Sequence, residues 1–395
     1  MSVLTLKDIK TVVTRALGPK VTIVSHRLED FTKEKNGIFG THQLLVVEVE
    51  DGSYEKKTES FFVKTRPESA LIMDTLLDEE TFLEEIHFFA QVHPLMMKDY
   101  QGERWSPRCF LANKNVLVFE DLRVQGFTHR TKNILDEQSL KSALSSLARF
   151  HASSQLAEKR LGKSLKEVFP SAFGEKVYNN GNKFGQSTSC GYETITLMAE
   201  KLGLNSGLVS RIHEKASKLV KPAVGKLNVL CHSDLWMNNV LFNDSVPAKC
   251  ILVDFQLLRY ASPVIDFCML VYLHTTPDYR KKNNLELLQY YHSVLRDVLL
   301  RSEIKPKIPS FENLLSDFNE YKLAGMAYAS LYLPGIYLNP EDFGTLLNDP
   351  TALQKFMFTT RMDLIGPAMD KDPVYREKLR GIIEELLEEA ERVFG

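Results

Sequence analysis

Three polar side chains in one part of the sequence have the types and spacing that phosphoryl transfer requires. Asp234 follows a short apolar run and lies five residues before Asn239, and Asp254 ends a second apolar run. We predict that Asp234 is the base that accepts the proton of an acceptor hydroxyl. We predict that Asn239 and Asp254 also act in catalysis by binding Mg²⁺ through oxygen atoms, the ligands that this cation prefers. Each residue type alone is common, and the joint spacing carries the prediction.

A lysine and a glutamate upstream supply the other charges that this chemistry needs. Lys64 ends a short apolar strand, and its ammonium is predicted to neutralise phosphates of ATP. A helix is predicted over roughly 79–92, and Glu85 within it is the first choice for the carboxylate that holds Lys64. Glu84 is the competing choice. A solvent-exposed acidic face is the alternative for either glutamate.

Two further segments are predicted to contact the nucleotide. Gly37 and Gly40 lie in a turn where backbone N–H groups would approach phosphate, although a plain hairpin turn explains two glycines equally well. Residues 116–122 read as an apolar strand, and its end, Glu120 to Leu122, is predicted to offer backbone groups to adenine. An ordinary core strand is the alternative. The chain contains no P-loop sequence, which disfavours the P-loop nucleotide hydrolases.

The sequence that follows Asp254 limits the size of the acceptor. Protein kinases place an activation segment and an Ala-Pro-Glu motif after this aspartate, as a platform for peptides. Here Asp266 and an apolar helical pattern follow shortly afterwards, and Ala-Pro-Glu is absent. The acceptor is therefore predicted to be a small-molecule alcohol. His232, two residues before Asp234, is predicted to support the loop rather than to transfer protons.

Five short motifs of the chain have to be considered together. They are Val63-Lys64-Thr65-Arg66-Pro67, Glu120-Asp121-Leu122, Phe150-His151-Ala152, His232-Ser233-Asp234-Leu235-Trp236-Met237-Asn238-Asn239 and Val253-Asp254-Phe255-Gln256. Together they resemble the motifs of the ecdysteroid kinase-like family, which is related to choline kinase-like and aminoglycoside phosphotransferase-like small-molecule kinases. The resemblance extends over about residues 25–340. Ser233 is a departure, because the family usually has Gly there. A serine fits unless this residue needs a positive φ, which would strain the loop.

The resemblance implies a fold and a reaction. The fold is α+β and protein-kinase-like with two lobes: residues 1–121 form a nucleotide-binding lobe with a small antiparallel sheet, and residues 122–395 form a mainly helical catalytic and substrate-binding lobe. The reaction transfers the γ-phosphoryl group of ATP to a steroid-like (ecdysteroid) or xenobiotic alcohol. Asp266 would support the catalytic loop through hydrogen bonds, and a helix N-cap is a compatible interpretation of this residue.

Two alternatives to that function remain open. One is a choline- or aminoglycoside-type kinase of another small alcohol, since fold alone does not determine a substrate. The other is a catalytically inactive protein that binds nucleotide or a lipophilic molecule. Inactive relatives usually lack one of the chemical groups, whereas Lys64, Asp234, Asn239 and Asp254 are all present here. Their presence favours an active enzyme.

Composition and patterning exclude several other classes of protein. The net charge of −2 leaves no basic surface for a nucleic-acid partner. The five cysteines and ten histidines show no paired spacing, which argues against a disulfide framework or a zinc site. The longest apolar stretch, around 267–273, is too short to span a membrane, and the N-terminus has no leader pattern. We expect a cytoplasmic protein, and no protein partner is evident.

Two segments outside the predicted site also have distinct patterns. The Gly-, Asn- and Ser-rich residues 178–191 predict a surface loop between helices. Residues 373–394 predict an acidic amphipathic helix with one apolar side. That apolar side is predicted to pack on the large lobe, and binding to a partner is the alternative.

Overall fold

The computed structural model describes residues 3–31, 41–50, 56–66, 79–131 and 133–395. Its first part consists of α1 (Leu6–Leu17), β1 (Thr22–Asp30), β2 (Thr41–Glu50), β3 (Lys56–Thr65), α2 (Glu79–His87), α3 (His93–Met97), β4 (Cys109–Asn113) and β5 (Val116–Glu120). A π-helical turn at Phe88–Val92 joins α2 to α3. Gly37 and Gly40 lie outside the described residues.

The five strands form one antiparallel sheet in the order β1-β2-β3-β5-β4. Successive side chains of a strand face opposite sides of a sheet. In β3, Phe61 and Val63 pack in an apolar cluster with Val12 of α1. Phe62 and Lys64 therefore face the other side. This alternation turns Lys64 away from α1 and toward the helical part of the protein.

The second part is mainly helical. After a 3₁₀ turn at Leu122–Gln125 it consists of α4 (Glu137–Leu161), α5 (Leu165–Val168), α6 (Lys183–Lys201), α7 (Val209–Leu219), β6 (Val229–Cys231), β7 (Val240–Phe242), β8 (Cys250–Leu252), β9 (Arg259–Ala261), α8 (Pro263–His274), α9 (Pro277–Arg301), α10 (Phe311–Ile336), α11 (Pro340–Asn348), α12 (Pro350–Phe358), α13 (Met362–Lys371) and α14 (Pro373–Phe394). Strand β6 pairs with β9, and β7 pairs with β8. A small antiparallel sheet followed by helices confirms the predicted α+β class.

Helix α8 lies at the centre of this helical part, and all of its residues are buried. Its close neighbour is α10. A Cβ atom added at Gly325 of α10 would lie only 2.6 Å from the Cβ of Cys268 in α8. The missing side chain thus lets the two helices approach closely. The first turn of α8 contains Asp266, which contacts the loop that follows β6.

The prediction of a loop over 178–191 is wrong for its second half, because α6 begins at Lys183. Asn182 caps the helix by accepting a hydrogen bond from the Gly185 backbone at 2.9 Å. A Cβ added at Gly185 would lie 2.0 Å from the backbone oxygen of Asn179. Tertiary packing here requires a small residue inside a helix, and it outweighs the low helix propensity of glycine.

The predicted C-terminal amphipathic helix is confirmed, since α14 spans Pro373–Phe394. Leu379, Ile383 and Leu386 on its apolar side are buried in the main core of the helical part. The packing interpretation is therefore correct. Glu377, Glu388 and Glu391 lie on the exposed side, whereas Glu389 is buried and pairs with Lys322.

Two expectations about protein class can be compared with the structure. All five cysteines are free. Within the described ranges, no helix combines the length and the hydropathy needed to cross a bilayer.

Arg280, in the first turn of α9, is fully buried and links α9 to α14. It donates hydrogen bonds to the carbonyls of Tyr272 and Thr275 and forms an ion pair with Glu385. Replacing only one partner of a buried ion pair leaves the other charge uncompensated, so we expect Arg280→Met to lower the free energy of unfolding by about 3–5 kcal/mol. Arg296→Met on the exposed side of the same helix should change it by less than about 0.5 kcal/mol. Equal values in chemical denaturation would contradict this expectation.

Candidate active site

Lys64 lies where the sheet meets the helical part. Its Nζ atom is 2.7 Å from Oε2 of Glu85 and 2.8 Å from Oδ1 of Asp254. Burial lowers the pKa of Lys64, but the charges of Asp254 and Glu85 outweigh burial and raise it above its ordinary value. Lys64 is therefore a charged ammonium that holds together segments 190 residues apart in the chain.

Glu84 and Glu85 are adjacent on α2 but have different partners. In addition to its lysine bond, Glu85 accepts a hydrogen bond from the backbone N–H of Phe255 at 3.0 Å. Glu84 accepts one from the backbone N–H of Phe173 at 2.8 Å and pairs with Lys176. Glu85 is thus the contact of the buried lysine, whereas Glu84 ties α2 to the loop before α6. An exposed acidic face is excluded, because both side chains are buried.

Asp234 and Asn239 hold each other in the loop after β6. The 3₁₀ turn Met237–Asn239 brings the side-chain amide of Asn239 back toward Asp234. Its Nδ2 donates to the backbone oxygen of Asp234 at 2.7 Å and to Oδ2 at 2.8 Å. Because the amide nitrogen is used in these bonds, the amide oxygen of Asn239 is the atom that can serve a cation.

The electrostatic environment of Asp234 suits proton transfer near neutral pH. Burial, and next the charge of Asp254, raise the pKa of Asp234 to about 7, against the opposing effects of Asn239, Arg259 and Lys64. A base works best when its pKa lies close to the operating pH. The same proximity of two carboxylates makes this region favourable for a cation.

The donor groups between the two loops fit Mg²⁺. The backbone N–H of Val253 donates to the carbonyl of Asn239 at 3.0 Å and so brings the two loops together. The side chain of Asp254 retains 27% exposure and is open to a ligand. A carboxylate oxygen and an amide oxygen are hard donors of the kind that Mg²⁺ selects. Asn239 and Asp254 therefore fit this ion.

Asp266 holds the backbone of the loop that carries Asp234. Its carboxylate accepts hydrogen bonds from the N–H groups of His232 at 2.5 Å and Ser233 at 3.0 Å, and it lies 3.2 Å from Nε2 of His151. Burial alone would raise the pKa of Asp266, but the hydrogen bond and charge of His151 outweigh it and lower the pKa. The N-cap interpretation is wrong, because Ser262 caps α8.

His232 joins the same loop to the segment that carries Asp254. Its Nε2–H donates to the carbonyl of Val253 at 2.9 Å, and its Nδ1 accepts from the backbone N–H of Asp234 at 3.3 Å. Burial lowers the pKa of His232, which keeps the ring neutral and consistent with this pattern. Both ring nitrogens are therefore occupied by backbone groups.

Ser233 has a φ angle of +69°, in the left-handed region. This conformation costs a non-glycine residue roughly 1–2 kcal/mol. The strain that a serine would bring to this loop is therefore present. Asp254, at +67°, shares the same unusual conformation, so both loops of the site carry it.

We expect Asp266→Asn to lower the free energy of unfolding by about 2–3 kcal/mol. The new amide group can satisfy only one of the two backbone donors, and its NH₂ faces the other. Asp278→Asn is a matched control, since Asp278 also lies in the first helical turn of its own helix but is exposed. Chemical denaturation of both variants measures the difference, and an equal loss in the two would contradict the expectation.

Residues at the end of β5 also make contacts that their spacing in the sequence does not predict. The backbone N–H of Glu120 donates to the carbonyl of Arg108 at 3.0 Å, and the carbonyl of Leu122 accepts from Phe127 at 3.1 Å. The side chain of Glu120 pairs with Arg104. Of the backbone groups predicted for adenine, these two thus already have a partner.

Arg259 was not identified from the sequence. It is 2% exposed, and its Nε donates to Oγ of Ser233 at 2.7 Å. The signal that could have found it is a lone charge in the short, otherwise apolar strand that follows the Asp254 turn. A charged residue in such a strand has to be paired when it is buried.

A sequence model of the ecdysteroid kinase-like family matches residues 43–303, well over half of the chain. The chain belongs to this family. The resemblance seen in the motifs is thereby confirmed, and so are the kinase-like fold and a phosphotransferase activity with an alcohol acceptor. No curated protein matches the chain.

Solved structures similar to this member of the ecdysteroid kinase-like family include three small-molecule kinases. An ethanolamine kinase from Plasmodium vivax is 11% identical, with 89% of this chain and 88% of that chain covered and a TM-score of 0.42. A macrolide 2'-phosphotransferase from Brachybacterium faecium is 9% identical, with 90% and 97% covered and a TM-score of 0.40. A choline kinase from Streptococcus pneumoniae is 14% identical, with 88% and 97% covered and a TM-score of 0.36. Likeness at this level carries no conclusion about the acceptor.

Proposed function

We propose that this member of the ecdysteroid kinase-like family transfers the γ-phosphoryl group of ATP to a hydroxyl of a steroid-like or xenobiotic alcohol. The observation that supports the proposal most is the convergence of Lys64, Glu85 and Asp254. The hydrogen-bonded pair of Asp234 and Asn239 lies in the neighbouring loop. An amine, an amide and carboxylates gathered in this way suit a metal-bound triphosphate.

Each of these residues has a separate task in the proposed reaction. Asp234 orients the acceptor hydroxyl and accepts its proton as the oxygen attacks phosphorus. Lys64, held by Glu85, neutralises phosphate oxygens of the nucleotide. Asn239 and Asp254 would hold Mg²⁺, which when bound offsets the negative charge on the transferring group.

The supporting residues act on the backbone. Asp266 accepts hydrogen bonds from the backbone N–H groups of His232 and Ser233, and His232 accepts one from the backbone N–H of Asp234. These bonds limit the movement of the loop. Neither side chain is placed to exchange protons with an acceptor, because their polar atoms are occupied by the loop. We assign both a supporting role.

We also propose that the nucleotide-binding lobe comprises residues 1–121 and the catalytic and substrate-binding lobe residues 122–395. The change from sheet to helices at the Leu122–Gln125 turn supports this boundary. Backbone groups from Glu120 to Leu122 would contact adenine, apart from the N–H of Glu120 and the carbonyl of Leu122, which already have partners. Gly37 and Gly40 would approach the phosphates.

Transfer of labelled γ-phosphate from Mg-ATP to a panel of alcohols tests the proposed function. The panel contains steroid alcohols, phenols and glycosides, with choline and an aminoglycoside as representatives of the other acceptor class. We expect transfer to at least one steroid-like or xenobiotic alcohol, and loss of this transfer in Asp234→Ala. Preferred transfer to choline or the aminoglycoside would replace the acceptor class but keep the chemistry. Absence of any transfer by a protein that binds Mg-ATP would overturn the proposal.

A further inference from the structure

Arg259 makes contacts in three directions from a buried position in β9. Its Nε donates to Oγ of Ser233 at 2.7 Å, and its Nη1 donates to the hydroxyl of Tyr328 at 2.7 Å. The same Nη1 lies 2.7 Å from Oε2 of Glu175. The three partners come from the catalytic loop, from α10 and from the loop before α6. One guanidinium thus connects three separate parts of the helical lobe.

A guanidinium is suited to this arrangement for a physical reason. A buried charge is costly unless a counter-charge and hydrogen bonds compensate for it. Glu175 supplies the counter-charge, and its side chain is only 12% exposed. The planar fork of arginine presents several donors in fixed directions, whereas a lysine ammonium is a single point of charge. Arg259 can therefore bind several partners and be oriented by them at the same time.

The contact with Ser233 concerns the most strained part of the catalytic loop. Ser233 has a left-handed backbone, a conformation that favours glycine. Its N–H is held by Asp266 at 3.0 Å, and its side chain is held by Arg259. The residue directly before Asp234 is thus fixed through both its backbone and its side chain. A buried hydrogen bond of this kind offsets at least part of the strain.

We propose that Arg259 is a positioning residue for Asp234. Through Ser233 it holds the loop in its left-handed turn, and through Glu175 and Tyr328 it is itself held in place. The inference rests on the proposed function, because Asp234 has to be the base for its position to matter. The hydrogen bond from Arg259 needs the hydroxyl of Ser233, which a glycine at this position would not supply.

Arg259→Met and Arg259→Lys test this inference. A displacement of about 1 Å at a reacting group can cost about 10²-fold in rate, so we expect Arg259→Met to lower turnover by roughly that factor. Active sites are counted by Mg-ADP binding, and neither their number nor the KM for ATP should change. Arg259→Lys keeps a charge opposite Glu175 and is the variant to use if the methionine variant does not fold. Lysine should lower turnover less than methionine, because it retains the charge but not the fork.

Variants of Ser233 separate the hydrogen bond from the backbone strain. Ser233→Ala removes the acceptor and keeps the strain, and we expect turnover to fall by about 10-fold. Ser233→Gly also removes the acceptor but adopts the left-handed turn without cost, so it should retain more activity than the alanine variant. Adding Ser233→Ala to Arg259→Met should reduce turnover no further, because loss of the arginine already removes its contact with Ser233 together with its other contacts.

Arg280→Met is the matched control, since it removes a second buried arginine whose partners are the carbonyls of Tyr272 and Thr275 and the carboxylate of Glu385, not residues of the catalytic loop. It should lower stability and leave turnover per active site unchanged. If Arg259→Met also leaves turnover per site within about twofold of the original, Arg259 is only a structural residue and the inference is overturned. Additive losses in the double variant would overturn the link through Ser233.

Hydrogen exchange of the segment 231–236 supplies a readout that does not depend on activity. We expect faster exchange there in Arg259→Met and Ser233→Ala but not in Arg280→Met. If the unmodified protein transfers phosphate to no acceptor, the proposed function fails while the loop measurement still decides whether Arg259 holds the loop. Unchanged exchange in both loop variants would overturn the inference whatever the activity.

Discussion

Replacing Asp234 with Asn is expected to lower the turnover of phosphoryl transfer by at least roughly 10²-fold, the lower range of a general base contribution. The amide keeps the size of the side chain but cannot accept a proton from the acceptor hydroxyl. Nucleotide affinity should stay close to its original value, because Asp234 is not placed to bind the phosphates. Steady-state assays with Mg-ATP and an alcohol that the protein phosphorylates measure turnover, and calorimetric titration with nucleotide measures affinity.

The pH dependence of turnover offers a second measurement on the same residue. Burial raises the pKa of Asp234 to about 7, and a base is active only when deprotonated. Turnover should therefore fall as the pH is lowered through this pKa. A cation bound at Asp254 lowers the pKa by its charge and shifts this fall to lower pH. Near-original activity of Asp234→Asn, or a turnover independent of pH, would remove the assignment of Asp234 as the base.

Replacing Asp254 with Asn is expected to lower turnover by on the order of 10²-fold and to raise the Mg²⁺ concentration needed for half of the maximal rate. The substitution removes the negative charge that would hold the cation. It also removes one of the two carboxylates that hold Lys64, which then keeps Glu85 as its ion-pair partner. Initial rates over a range of Mg²⁺ concentrations at constant ATP give both values.

Asp244→Asn is the control for this measurement. Asp244 lies between β7 and β8, and its side chain is 90% exposed in a pair with Arg130. The same chemical change at this exposed position should leave the Mg²⁺ titration as it was. A titration of Asp254→Asn that matches that of the control would contradict the metal-binding role.

The spacing of a few residues was sufficient to predict the chemistry. Asp234 and Asn239 are close in the chain, so one short turn is enough to bring their side chains together. The strand that carries Lys64 could be recognised because the apolar run before this residue is a local feature of the sequence. The amphipathic helix α14 was predicted for the same reason, since its apolar side repeats with the helical period.

The choice between Glu84 and Glu85 could not be made from the sequence. Adjacent residues on a helix point about 100° apart, and both directions here lead to buried partners. The lysine partner was decided by the placement of α2 against β3 and the Phe255 segment. Residues 178–191 illustrate the same limit, because glycines that suggest a loop are required in α6 by close packing.

Position 233 shows most directly which properties follow from the sequence and which depend on the tertiary structure. The sequence by itself determined that a serine stands directly before Asp234, and with it the condition under which strain would arise. Only the tertiary structure decided that the condition is met, because the left-handed turn at Ser233 is held by Asp266 and Arg259, which lie elsewhere in the chain. Local spacing determines which chemical groups are available, whereas long-range packing determines which of them meet, since burial and pairing depend on the whole fold.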